Sequence, residues 1–90
     1  MFNTLVIRNK DESGVVAGVT NILSQLKLNV ANMSVNRHKR GGDMLMVIEM
    51  DEHLKSSHVA FLSELPGILS VAYYDKEEED DGSGFDEGDL

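Results

Sequence analysis

Residues 9–14, Asn-Lys-Asp-Glu-Ser-Gly, separate two apolar segments that keep different periods. Before them, Thr4-Leu5-Val6-Ile7-Arg8 is a short β-branched run of the kind that forms a buried strand. After them, Val15, Val19, Ile22 and Leu26 recur at helical spacing, and Val16 and Leu23 widen the stripe until it suits a helix lying on a sheet. A polar turn between a strand and a helix aims short Asn and Asp side chains and unpaired backbone N–H groups at one small volume. Such a volume suits a small zwitterion, and no other segment offers a better site.

The helix is expected over residues 14–28, with Asp11 or Ser13 placed to cap its first turn. Gly18 inside it costs about 1 kcal/mol against Ala, so a close approach of another element is expected there. Residues 29–37 follow as a half-buried strand, with Ala31, Met33 and Val35 on one side and Asn32, Ser34 and Asn36 on the other. Residues 38–42 are polar and basic and end in two glycines, which marks a hairpin loop. Met44-Leu45-Met46-Val47-Ile48-Glu49-Met50 returns as a strand so continuously apolar that both of its faces need cover. A single helical layer covers one face of a sheet, and a second copy of the chain is the simplest cover for the other.

A second helix, capped by Ser56 or Ser57, buries Val59, Leu62 and Leu65 with Phe61 beside them and stops at Pro66-Gly67. Residues 68–74 make the last strand. The order β-α-β-β-α-β, built from two right-handed crossovers joined by a hairpin, predicts an α+β ferredoxin-like sandwich: a four-stranded antiparallel sheet with two helices on one face.

Ninety residues permit one domain. The net charge of −8 belongs to its end: residues 77–90 carry eight acids, whereas residues 1–75 hold seven bases against eight acids. The division expected is a domain over 1–75 and a disordered acidic tail over 76–90, too poor in apolar residues to offset the entropy of ordering it. Without cysteine there is no disulfide, thiolate cluster or thiol chemistry. Without a basic patch interleaved with aromatic residues, nucleic acid is not expected as a partner. With no apolar run near the ~20 residues of a membrane span, no membrane is expected either, and a cytoplasmic location is the default.

Taken together, Asp11-Glu12-Ser13-Gly14-Val15-Val16, Asn29-Val30-Ala31-Asn32-Met33, the Arg37-to-Gly42 hairpin, residues 44–51 and Leu65-Pro66-Gly67-Ile68 resemble an ACT domain, the small amino-acid-sensing module of metabolic enzymes. The likeness covers residues 3–75. It is nearest to the ACT domain of bacterial L-serine dehydratase β-subunits and more distant from the serine-regulated end of phosphoglycerate dehydrogenases. Ser13 departs from the Pro that many relatives carry, and Asp11 stands where some serine-binding relatives have Asn.

The resemblance implies a non-catalytic regulatory domain that binds a small amino acid, L-serine first, at a homodimer interface and controls a parent or partner metabolic enzyme. It places the ligand against Asn9, Asp11 and Gly14 of one subunit and Asn29 of the other, with Asp11 accepting from the ammonium and the helix N-terminus facing the carboxylate. No cofactor is implied. The alternative is a ligand-free dimerisation or interaction module, in which Asp11 only caps the helix and Asn29 is a left-handed residue ending it. An acylphosphatase-like enzyme of this fold would need an Arg in the loop before the first helix, and residues 9–14 contain none. Arg37, Lys39 and Arg40 are expected to be a solvated hairpin, and Met33, Met44, Met46 and Met50 core or interface filler. His38, His53 and His58 lack metal-ligand spacing, and no nucleophile sits beside a base.

The charge division carries its own test. Truncation after Asp75 is expected to leave the melting temperature within about 2 °C, since an exposed tail contributes almost no burial. A larger loss in a thermal melt would mean that Phe85 or Leu90 docks on the body.

Overall fold

The computed structural model describes residues 3–37 and 42–75, so the acidic tail and the tip of the basic hairpin lie outside the described residues. The elements are β1 (Asn3–Lys10), α1 (Val15–Gln25), β2 (Val30–Arg37), β3 (Asp43–Met50), α2 (Ser56–Ser63) and β4 (Ile68–Tyr74). They form one antiparallel sheet in the order β2-β3-β1-β4, the ferredoxin-like arrangement expected of two interleaved crossovers. β1 and β3 are the interior strands; β2 and β4 are the edges.

The register of the interior pair sets the core. Leu5 faces Ile48, Ile7 faces Met46 and Asn9 faces Met44 across β1 and β3. All of these residues are buried on one face, where Val19 and Leu23 of α1 and Leu62 of α2 close the cluster. The alternate residues point to the uncovered face, where Val6 lies between Val47 of β3 and Ala72 of β4. Val6, Leu45 and Val47 are only half-buried there. The helices of the chain itself cover one face of β3.

β2 departs further from expectation. It was expected to be half-buried, but as an edge strand it is exposed along nearly its whole length, with Met33 alone partly covered. β4, the other edge strand, also carries exposed Leu69 and Tyr74. A one-residue bulge displaces Leu69, because Arg8 pairs with Ser70 while Asn9 pairs with Ile68.

Both helix starts differ from the caps expected of them. Gly14, in the left-handed region at φ 86°, is the N-cap of α1 in place of Asp11 or Ser13. At α2 the N-cap is Lys55 rather than a serine, and its N–H donates to Nδ1 of His58 at 3.3 Å. α1 ends at Gln25, earlier than expected, and the left-handed residue after it is Lys27 (φ 62°), not Asn29.

Two glycines give opposite expectations. A Cβ on Gly67, whose φ is 84°, would stand 2.8 Å from Cγ2 of Val15, whereas one on Gly18 would meet nothing within 4 Å. No element therefore approaches Gly18. Gly67→Ala is expected to cost at least about 1–2 kcal/mol from the left-handed backbone alone. Gly18→Ala is expected to stabilise by roughly 0.5–1 kcal/mol. Urea denaturation of both variants checks the pair, and destabilisation by Gly18→Ala would reveal a contact at that position.

Candidate functional site

The loop of residues 11–14 is held to the fold by backbone bonds. The Lys10 N–H donates to the carbonyl of Gly67 at 2.8 Å, and the Asp11 N–H to that of Gly42 at 2.9 Å. The Glu12 N–H turns back to the Lys10 carbonyl at 2.9 Å. The start of the loop is thus fastened both to the α2–β4 turn and to the entry of β3. Those three donors are spent on structure. In the first turn of α1 the Val15 N–H donates to the Glu12 carbonyl at 3.3 Å and the Gly18 N–H to that of Gly14 at 2.8 Å, which leaves the N–H groups of Val16 and Ala17 as the ones without an intrahelical acceptor by helix geometry.

Asn9 lies beneath this loop at the end of an interior strand and is fully buried. Its Nδ2 donates to the Lys10 carbonyl at 2.9 Å and reaches Sδ of Met44 at 4.0 Å. The reverse amide orientation would set two carbonyl oxygens against each other. Oδ1 of Asn9 is left without a partner among the described residues. Buried polar atoms seldom go unpaired in natural folds, so this is a distinctive position.

Asp11 forms a fork with Arg37. Nε of Arg37 lies 2.9 Å from Oδ2 of Asp11, and Nη2 lies 3.2 Å from Oδ1. The two partners are unequally covered: the Asp11 side chain is 12% exposed and that of Arg37 is 53% exposed. Arg37, the last residue of β2, is exposed as expected but also held in this pair, while Lys39 and Arg40 lie outside the described residues. The pairing was open to inference from topology, because β1 and β2 run parallel and deliver residues 11 and 37 to the same end of the sheet. Charge-run reasoning does not use that information.

Asn29 occupies the opposite end. Its N–H donates to Oε1 of Glu52 at 2.7 Å, and its Nδ2 to Oδ2 of Asp51 at 2.6 Å. Residues 30–36 of β2 separate it from Arg37, about 25 Å at a strand's rise. Asn9, Asp11 and Gly14 thus lie at the β1–α1 connection, and Asn29 lies at the far end of β2 from Arg37.

A cavity of about 330 Å³ lies on the α2 side of the loop, lined by residues that include Glu12, Ser13, Gly14, Gly18, Leu65 and Pro66. Of the four expected site residues only Gly14 borders it. A second, more open depression near the end of β4 is bordered by Leu54, Tyr73 and Asp75; the Tyr73 hydroxyl accepts from the Leu54 N–H at 3.0 Å, and Nδ1 of His53 lies 3.0 Å from Oδ2 of Asp75. Among the described residues no group of His, Asp and Glu is arranged to hold a metal. No helix among them is long and apolar enough to cross a membrane.

A family model for the ACT domain matches residues 3–60. The chain belongs to the ACT domain family. This ACT domain is 36% identical to the D-3-phosphoglycerate dehydrogenase of Bacillus subtilis over 69 residues, which make up 77% of the chain and 13% of that protein. It is 40% identical over 67 residues to a Bacillus subtilis protein described as "Probable L-serine dehydratase, beta chain", covering 74% of the chain and 30% of that protein. The chain spans less than a third of the length of these relatives. Among solved structures, the ACT domain from the GTP pyrophosphokinase of Chlorobium tepidum superimposes with a TM-score of 0.64. It covers 82% of this chain and 97% of its own at 16% identity, a likeness of fold.

The orphan oxygen of Asn9 makes a stability prediction. Asn9→Leu removes the unpaired carbonyl, and the Lys10 carbonyl keeps its bond from Glu12. The variant is expected to be as stable as the wild type or more so, by up to about 1 kcal/mol in urea denaturation. A loss above about 2 kcal/mol would show that Oδ1 is satisfied in the folded protein.

Proposed function

We propose that this ACT domain is a non-catalytic regulatory module that binds a small amino acid, L-serine first, between two copies of the chain, and so controls an enzyme of amino-acid metabolism. One observation carries the reading: Arg37, with Asp11 paired to it, and Asn29 stand at the two ends of the same sheet edge, β2. Antiparallel pairing of β2 with β2 of a second copy, in a register centred on Met33, sets Asn29 of that copy opposite Arg37. Each loop would then face the other chain's Asn29, and two-fold symmetry would make the site twice.

The relatives support the metabolic setting, since the two Bacillus subtilis proteins are named for phosphoglycerate dehydrogenation and serine dehydration. A ligand held by both subunits stabilises the pair by mass action, and an attached or associated enzyme could read that coupling. The second reading, a dimerisation module without ligand, is favoured by the loop itself, whose Lys10, Asp11 and Glu12 N–H groups are all bonded to backbone carbonyls.

A thermal-shift screen of the twenty amino acids separates the two, with one or two responders expected for the sensor and none for the pure dimeriser. For a responder, Asp11→Ala and Asn29→Ala are each expected to abolish binding by calorimetry. Mixing the two variants is expected to restore about a quarter of the sites, because half of the statistical dimers carry one intact pair. Wild-type affinity in either single variant would refute the shared site.

A further inference from the structure

Resting on the shared site proposed above, we infer that Arg37 is the ligand's carboxylate anchor and that Asp11 is the group that positions it. The two members of the fork are not equally available. The carboxylate is the covered partner, 12% exposed, and the guanidinium the open one, 53% exposed. An approaching ligand therefore meets positive charge at this end of β2.

The geometry of the fork leaves the guanidinium able to bind again. Nε and Nη2 face Asp11 on the side edge. The end edge, with one N–H on each Nη, has no partner among the described residues and keeps the fixed spacing that matches a second carboxylate. A planar cation with two usable edges serves both acids at once, whereas a lysine ammonium at this position would have to divide one point charge between them. The pair with Asp11 locks the guanidinium plane and lowers the entropy lost when a ligand joins.

The opposite end of β2 carries the complementary sign. Asn29 is bonded to Asp51 and Glu52, both exposed. In the antiparallel pairing this acidic end lies against Arg37 of the other copy. An α-amino acid placed between them sets its carboxylate on Arg37 and its ammonium toward the carboxylates around Asn29. The recognised class is thus a zwitterion with a free α-carboxylate.

The test uses the full chain and two sets of probes in calorimetry: glycine, L-alanine and L-serine, and their primary amides, which keep the ammonium and lose the carboxylate charge. In the wild type, a binding acid is expected to exceed its amide by about tenfold or more. Arg37→Gln is expected to remove that preference, bringing acid and amide to the same weak level. Arg37→Lys, which keeps the charge but not the second edge, is expected to lose about tenfold in the acid. Circular dichroism and urea denaturation of both variants report that the fold is retained, as expected for an exposed side chain.

Equal binding of acid and amide by the wild type, or an unchanged preference in Arg37→Gln, would overturn the role of Arg37 while leaving amino-acid binding standing. Absence of binding by all six probes would overturn both. Weaker self-association of Arg37→Gln with no change in acid preference would mean that Arg37 pairs directly with Asp51 or Glu52 of the second copy, and would also overturn the inference.

Discussion

The pairing of β1 with β3 along eight registered positions is the constraint from which the candidate site derives its geometry. Because β1 is interior, its last residues cannot shift without breaking two ladders at once. That fixes Asn9 in the core, directs the loop after it over the edge of the sheet, and sets Gly14 where α1 must begin. The helices contribute less to this end of the molecule than the sheet does. They close the core through Val19, Leu23 and Leu62 and leave the other face of the sheet to solvent.

Much of the architecture could be read from periodicity, because alternating and helical apolar patterns are local properties of the chain. All six elements stand in the expected order, and the bulk of the core, from Leu5 to Leu62, consists of residues marked as apolar stripes. What escaped was tertiary. Asp11 looked like a cap because Asp before a helix commonly is one, yet its carboxylate is drawn to an arginine 26 residues away. Gly18 looked like a contact point because a helical glycine has an energetic cost that invites a reason, and no neighbour supplies one. The exposure of β2 follows from sheet order, which composition does not encode.

The candidate site was legible in part for the same reasons. A polar turn before a helix is visible in sequence, and it does join β1 to α1, with Gly14 as the N-cap. The unpaired oxygen of Asn9 was not visible, because it depends on which face of β1 the register turns inward. Nor was the role of Arg37, which belongs to the topology of the parallel pair β1 and β2. The open edge formed by β2 is long, lacks proline and lysine, and ends in the only charge it carries, so the usual guards against strand pairing are missing from it.

The two carbonyls that hold the loop come from distant parts of the chain, Gly42 at the start of β3 and Gly67 at the start of β4. The second lies beyond the residues matched by the family model. Neither bond can form from local sequence alone, and the later one requires nearly the whole domain to have been laid down. Closing such long loops is the slow part of assembling a sheet of this kind. The loop therefore has its final shape only when both of these long-range contacts are in place. A chain caught partway, with β1, β2 and β3 already paired, would possess a sheet and most of a core but not yet the feature that distinguishes it.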